Sequence, residues 1–148
     1  MTARRTYLLV IAAITAIILT LSALADRGRI ERPAAKEFGP GPRTSAQGLY
    51  VVTLEGAGAL KARKLYTLQA VVIDGDAGEP VANAGITVDG GMPQHGHGLP
   101  TRPRVTKNLG NGWYEVGGLR FNMGGWWELE LTIDGPAGTD TVTFNLSV

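Results

Sequence analysis

The chain has 148 residues, a formal net charge of +1 at pH 7 and no cysteine. The absence of thiols excludes disulfides, thiolate zinc sites and cysteine catalysis, and the small net charge does not indicate nucleic-acid binding. The charge is unevenly distributed. Residues 1–47 carry seven basic and three acidic side chains, whereas residues 48–148 carry seven basic and ten acidic ones. We therefore expect a basic leader followed by a mildly acidic domain.

The first predicted element is an apolar run of 19 residues, from Tyr7 to Ala25, without a charged side chain. As a helix it would be about 28 Å long, close to the thickness of a bilayer core. Two arginines precede it, and it ends in Ala23-Leu24-Ala25, a pattern that a signal peptidase cleaves. Residues 1–25 are therefore predicted to be a signal-anchor or a cleaved signal peptide. The length of the run favours the anchor.

We expect the rest of the chain to lie outside the cytoplasm, in the periplasm or its equivalent. An uncleaved leader would make a single-pass membrane protein, attached through residues 7–25, whereas cleavage after Ala25 would release the domain on the same side. The basic residues after the run outnumber those before it, which argues for the opposite orientation. The signal-like layout and the metal chemistry described below favour the extracytoplasmic side.

Residues 26–47 are polar, charged and interrupted by proline and glycine, and they are predicted to form a flexible linker. From residue 48 to 148 the pattern has a period of two residues, which is typical of half-buried strands. The runs "WELELTID" and "TVTFNLSV" are the clearest cases, and the turn "DGPAG" joins them into a predicted hairpin. In the first run the alternation places Trp127 in the core.

Shorter runs with the same alternation occur in "LYVVTLEG", "KLYTLQAVVID", "GITVDG", "WYEV" and "LRFNM". We count seven or eight strands separated by turns, with no convincing helix after residue 47. One apolar and one polar face per strand predicts antiparallel sheets packed against each other. The predicted fold is an all-β, immunoglobulin-like antiparallel sandwich over residues 48–148, preceded by one N-terminal transmembrane or signal helix.

The stretch "GGMPQHGHGLPT" contains both histidines of the chain, His95 and His97, together with Met92. On an extended backbone, residues two apart point to the same side, so the two imidazoles would be presented together. Thioethers are soft ligands that prefer Cu(I), and imidazole accepts Cu(I), Cu(II) and zinc. The sequence therefore predicts a copper site, with Cu(I) as the favoured ion and Met92, His95 and His97 as ligands.

Met123, in "FNMGGWW", is a candidate fourth ligand, because strand pairing is able to bring it near the histidines. It also alternates with Leu119 and Phe121, so core packing is an equally good interpretation. Trp126 is the freer of the two adjacent tryptophans and is a candidate for screening the metal from water. A solvated glycine-rich turn without metal remains the alternative for the whole stretch.

Enzymatic interpretations have little support in the sequence. The two histidines would have to serve any acid–base chemistry, no serine lies in a G-x-S-x-G context, and the carboxylates alternate onto the polar faces of strands. We therefore predict that the protein is not an enzyme.

These motifs resemble the YtkA-like family, which includes FixH-like proteins, over about residues 48–148. The resemblance is carried by Met-Pro-x-His-x-His at Met92–His97, by Gly112-Trp113-Tyr114, and by the segment Gly118–Trp127. It implies an exported or membrane-anchored β-sandwich domain that handles copper, in FixH-like members during assembly of respiratory oxidases. It also implies Met92, His95 and His97 as copper ligands, with Met123 possible. The family pattern often has proline where this chain has Gly124.

Two functions follow as hypotheses. The first is an extracytoplasmic copper-binding accessory protein, a Cu(I) chaperone or buffer that works with a membrane copper protein or oxidase complex. The second is an interaction module without metal, held at the membrane and docking a membrane-complex partner through its loops.

Overall fold

Nine β-strands make up most of the part of the chain that the structure, a computed structural model, describes, residues 30–148. The predicted segment 7–25 and the cleavage position after Ala25 lie outside these residues. Between residues 30 and 148, no helix is long and apolar enough to cross a membrane. The strands are β1 (Arg43–Thr44), β2 (Tyr50–Glu55), β3 (Leu65–Asp74), β4 (Gly85–Met92), β5 (His97–Gly98), β6 (Arg104–Gly110), β7 (Trp113–Arg120), β8 (Trp126–Gly135) and β9 (Gly138–Ser147), preceded by a 3-10 turn at Ala35–Glu37.

The strands pair in the order β1-β2-β3-β7-β6-β4-β8-β9, with β5 paired to β4, and every ladder between them is antiparallel. The two ends of this order meet, because the amide of Ala46, just after β1, donates to the carbonyl of Thr141 in β9 at 2.9 Å. The sheet is therefore nearly closed into a barrel. The ladder between β4 and β6 is the shortest in this order and consists of one residue pair, Thr87 and Arg104.

The prediction of an all-β, antiparallel domain is confirmed. The structure adds three strands that the pattern did not predict, because β1 and β5 contain two residues each and β6 lacks the period-two alternation. The runs "WYEV" and "LRFNM", predicted as separate strands, instead belong to one strand, β7, which ends at Arg120. Of the apolar side chains of β6, Val105 is half-buried and Leu109 is exposed. Neighbouring strands, rather than a buried face, hold β6 in the sheet.

The inward faces of the longest strands follow the predicted alternation. Trp127, Leu129, Leu131 and Ile133 of β8 are all buried, and Val142, Phe144 and Leu146 of β9 pack against them. The Trp127 and Phe121 rings meet edge-on, with centroids 5.2 Å apart. The core thus continues to the end of the sheet at which β8 begins.

Part of the segment predicted as a linker contacts the sheet. The amide of Gly39 donates to the Asn145 carbonyl at 2.8 Å, and the carbonyl of Pro40 accepts from the Leu54 amide at 2.8 Å. Arg43 and Thr44 pair with β2. The low apolar content of this segment suggested a flexible linker. Backbone hydrogen bonds to the sheet nevertheless hold it in place. Residues 38–45 are therefore structured.

Trp126 is the less buried of the two tryptophans, as predicted, but it is not free. Its side chain is buried, its Nε1 donates to Asn145 Oδ1 at 2.9 Å, and the ring of Phe38 packs edge-on against it at 6.4 Å. The alternation correctly predicts that Trp126 lies on the face opposite Trp127. Phe38, from the supposed linker, is what covers that face.

Candidate metal site

A four-residue turn, Pro93–Gly96, connects β4 to β5 and carries the predicted ligands. The carbonyl of Met92 accepts hydrogen bonds from the amides of His95 and Gly96 at 3.0 and 2.9 Å. Gly96 has φ +64°, a left-handed conformation that glycine adopts without steric cost. The chain therefore reverses tightly, and His97 returns beside Met92.

The expectation of an extended backbone through both histidines is wrong, because His95 lies in the turn and only His97 in a strand. The two rings are nevertheless close to parallel, with an interplanar angle of 4° and centroids 6.3 Å apart. Metal–nitrogen bonds of about 2.0–2.1 Å on both sides of one ion would separate the ring centres by at most about 6–6.5 Å. The observed separation is close to this maximum, which applies to a linear site, so three or four ligands around one ion would require the two exposed rings to turn toward each other.

The register of the hairpin places Met92 beside the two histidines. Met92 and His97 are direct partners in the β4–β5 ladder. Directly opposed residues of an antiparallel pair project from the same face, with Cβ atoms about 4.5–5.5 Å apart. Met92 is only 3% exposed, whereas His97 is exposed, so the pair spans the boundary between core and solvent.

Met123 does not continue the buried row that contains Leu119 and Phe121. Strand β7 ends at Arg120, the chain bends through residues 121–125, and Met123 is 40% exposed. The core interpretation of its side chain is therefore wrong. Its loop does reach the site, since a β-carbon placed on Gly125 would lie 2.8 Å from Cε of Met92.

Carboxylates lie beside the hairpin on β4 and β8. Gly91 is paired with Glu128, and Asp89 with Glu130. An open depression of about 170 Å³ is lined by these three acidic residues together with Gly90 and Gly91. Partial burial, with a smaller contribution from the charge of Glu130, raises the pKa of Glu128 above its ordinary value. Because Asp89 and Gly91 alternate with Met92 along β4, these carboxylates lie on the face of the sheet opposite to that of Met92.

Imidazoles and carboxylates do not by themselves form a metal site here. Within residues 30–148, no group of three or more His, Cys, Asp or Glu side chains is placed to hold an ion. The thioether of Met92 lies opposite His97 and is the further side-chain donor beside the two imidazoles. That donor set suits copper better than zinc, and it suits calcium or magnesium poorly.

Two features of this region have only weak signals in the sequence. The pairing of Met92 with His97 depends on the turn length, which the glycine-rich stretch does not specify. The approach of Gly125 to Met92 joins parts of the chain more than thirty residues apart. Only the glycine pair in "NMGGWW" hints that backbone and side chain are close there.

The fold and the hairpin define a small antiparallel β domain that presents histidine and methionine at one end of its sheet. A model of the YtkA-like family matches residues 44–132, more than half of the chain, and the chain belongs to that family. No curated protein and no solved structure matches it.

Proposed function

We propose that this chain is an extracytoplasmic copper-binding accessory protein, which holds Cu(I) as cargo for a membrane copper protein or oxidase complex, or buffers it for copper tolerance. The observation that carries the proposal is the hairpin register, which sets Met92 opposite His97 while the parallel ring of His95 lies 6.3 Å from that of His97. Met123 is the proposed fourth ligand, from the loop that packs on Met92.

The proposal includes attachment to the membrane through residues 7–25, or secretion to the same side after cleavage at Ala25. The apolar run and the A-x-A pattern support this location. A binding function rather than catalysis fits a site whose two histidines are exposed, where an ion is easily exchanged. We also propose that the strands form two packed layers, as in an immunoglobulin-like sandwich. The reason is that β4 and β6 share a single residue pair, so the sheet is almost divided there.

Competition for Cu(I) tests the proposed function. The full chain in detergent is titrated without oxygen against a chromophoric Cu(I) chelator. We expect one ion per chain with a Kd well below micromolar. The double variant His95→Ala/His97→Ala should lose at least about 100-fold, since even residues that only orient metal ligands contribute 10–100-fold. Gln94→Ala, in the same turn but without a ligand, is the matched control and should bind normally.

Single replacements test whether each methionine is a copper ligand. Met92→Leu and Met123→Leu keep the apolar volume nearly constant and remove the sulfur. X-ray absorption of the copper complex should show sulfur scattering that falls in each variant whose methionine is a ligand. Wild-type binding no tighter than micromolar, or binding unchanged in the double histidine variant, would contradict the proposed function.

An exposed apolar patch favours the second candidate, a docking module without metal. Leu109 and Trp113 flank the β6–β7 turn and are 47% and 37% exposed. Exposed tryptophan is typical of protein interfaces. On this alternative, capture of a membrane partner would be lost in Trp113→Ala and retained in His95→Ala. Partner capture that depends on copper would favour the first candidate.

A further inference from the structure

The backbone at Gly125 has a conformation that other residues rarely adopt. Its φ is +130°, in a region where L side chains are strained. Reciprocal hydrogen bonds fix it there: its amide donates to the carbonyl of Val148 at 2.9 Å, and the Val148 amide donates back at 3.0 Å. The position of Gly125 is therefore set by pairing with Val148, the residue that follows β9.

The space beside Gly125 is taken by the side chain of Met92. A β-carbon at position 125 would be 2.8 Å from Cε of Met92. That distance is well inside the optimum of about 3.5–4.0 Å for two carbon atoms. Cε is the end of a flexible but buried side chain, so a methyl group at position 125 would displace it from its present place in the core. The missing side chain at position 125 thus lets Met92 keep its present rotamer.

The rest of the loop is held on its other side. Nε1 of the buried Trp127 donates to the carbonyl of Met123 at 3.1 Å. The segment between Met123 and Trp127 is therefore fixed by Trp127 at one point and by Val148 at another. A substituent at Gly125 would move Met92 rather than the loop, because a thioether side chain is softer than a backbone held at two points.

We propose that Gly125 is a positioning residue for the Met92 thioether, and through it for copper bound at the β4–β5 turn. This inference rests on the proposed function for its effect on copper, whereas the contact with Met92 is independent of any metal. Gly125 does not touch the ion. It sets the direction from which Met92 sulfur approaches.

A double-mutant cycle on the full chain tests the proposal. Gly125→Ala should weaken Cu(I) binding about tenfold or more, as expected for loss of a residue that orients a ligand. In the Met92→Leu background, the same change should have no further effect, because the ligand that it positions is gone.

Gly138→Ala is the matched control. Gly138 also has a positive φ, +120°, and its β-carbon would meet the flexible end of Leu49 at 3.3 Å. It lies at the β8–β9 turn, at the other end of these strands from the candidate site. We expect comparable backbone strain there and unchanged Cu(I) affinity.

Methyl NMR of the metal-free chain tests the contact without copper. With methyl-labelled methionine, Gly125→Ala should shift the Met92 signal strongly, and Gly138→Ala should leave it in place. If Gly125→Ala is too unstable to isolate, its cost in stability is measured in the Met92→Ala background, where it should fall to about that of Gly138→Ala, since the smaller side chain removes the clash and leaves only the backbone strain.

The outcomes distinguish this proposal from the proposed function. A wild-type chain that does not bind Cu(I) would refute the proposed function, and the methyl shift would still test the contact. Three results would overturn the positioning of Met92 by Gly125: an unmoved Met92 signal, additive effects in the cycle, or a cost of Gly125→Ala that is undiminished in the Met92→Ala background.

Discussion

Asp140 is the most thoroughly hydrogen-bonded carboxylate in the part of the chain that the structure describes. It is only 3% exposed. Its oxygens accept from the amides of Gln47 at 2.9 Å, Leu49 at 3.3 Å and Thr141 at 2.8 Å. Burial by itself would raise its pKa, but these hydrogen bonds, together with the nearby Ser45 hydroxyl, outweigh burial and hold the pKa below its ordinary value. Asp140 thus fastens the turn between β1 and β2 to β9.

Replacement of Asp140 should make the free energy of unfolding less dependent on pH in the acidic range. Because the folded pKa is below the unfolded value of about 3.9, the carboxylate stabilises the fold above that pH, and the stabilisation is lost as pH falls through the folded pKa. Asp140→Asn should lower the free energy of unfolding at pH 7 and flatten its decline below about pH 4. Urea unfolding at several pH values measures this.

Asp76→Asn, in an exposed turn, is the control and should follow the wild-type profile. An Asp140→Asn profile parallel to that of the wild type, merely displaced at all pH values, would contradict the assignment of the stabilisation to the ionised carboxylate.

Single elements depend on turn geometry as much as on apolar faces. The hairpin that carries His95 and His97 has only two residues in β5, so its turn, rather than its ladder, determines its shape. Two amides bonded to the Met92 carbonyl and the positive φ of Gly96 define that turn. The site's geometry is therefore sensitive to a single backbone position.

Substitutions at Gly96 test how much the site depends on the shape of the turn, because they leave both histidines in place. Gly96→Asn should be tolerated, because asparagine adopts left-handed conformations more readily than most residues. Gly96→Val should cost about 1–3 kcal/mol locally, since a β-branched residue is strained there. Hydrogen exchange at the amides of His95 and Gly96 reports the local stability.

We expect fast exchange and weakened Cu(I) binding in Gly96→Val, with both ligands still present. Equal protection in the valine and asparagine variants would show that the turn tolerates any residue at this position.

At the scale of the whole molecule, the boundary of the domain lies earlier than the strand pattern indicates. A compact unit extends from Arg32 to Val148, and residues 38–46 add backbone hydrogen bonds to β2 and β9. The family match begins at residue 44, within β1. Before this match, Phe38 covers Trp126, and residues 39 and 40 form backbone hydrogen bonds with β9 and β2.

A shortened chain that begins at residue 48 should therefore be less stable than one that begins at residue 32. The longer form keeps several hydrogen bonds worth about 0.5–1.5 kcal/mol each, so we expect a difference of about 2–5 kcal/mol. Thermal unfolding of both forms measures it, and Phe38→Ala in the longer form should have an intermediate effect. Equal midpoints would mean that this segment contributes no net stability.

The sequence by itself determined the strands whose side chains alternate, because alternation reflects a local rule of backbone geometry. Trp127 and the apolar residues of β8 and β9 were therefore assigned correctly to the core, as was the antiparallel class of the fold. Met92, His95 and His97 were also visible as candidate ligands from the sequence, since they lie within six consecutive residues.

Only the tertiary structure decided what depends on contacts between distant parts of the chain. Phe38 covers Trp126, Asp140 fastens the first turn, and Gly125 leaves room for Met92, although no local pattern pairs these residues. The exposure of Met123 was hidden for the same reason, because hydrogen bonds from Trp127 and Val148 bend its loop away from the strand direction. Alternation specifies which face of a strand is apolar, whereas the elements covering that face, and the place where a strand stops, depend on the folded chain as a whole.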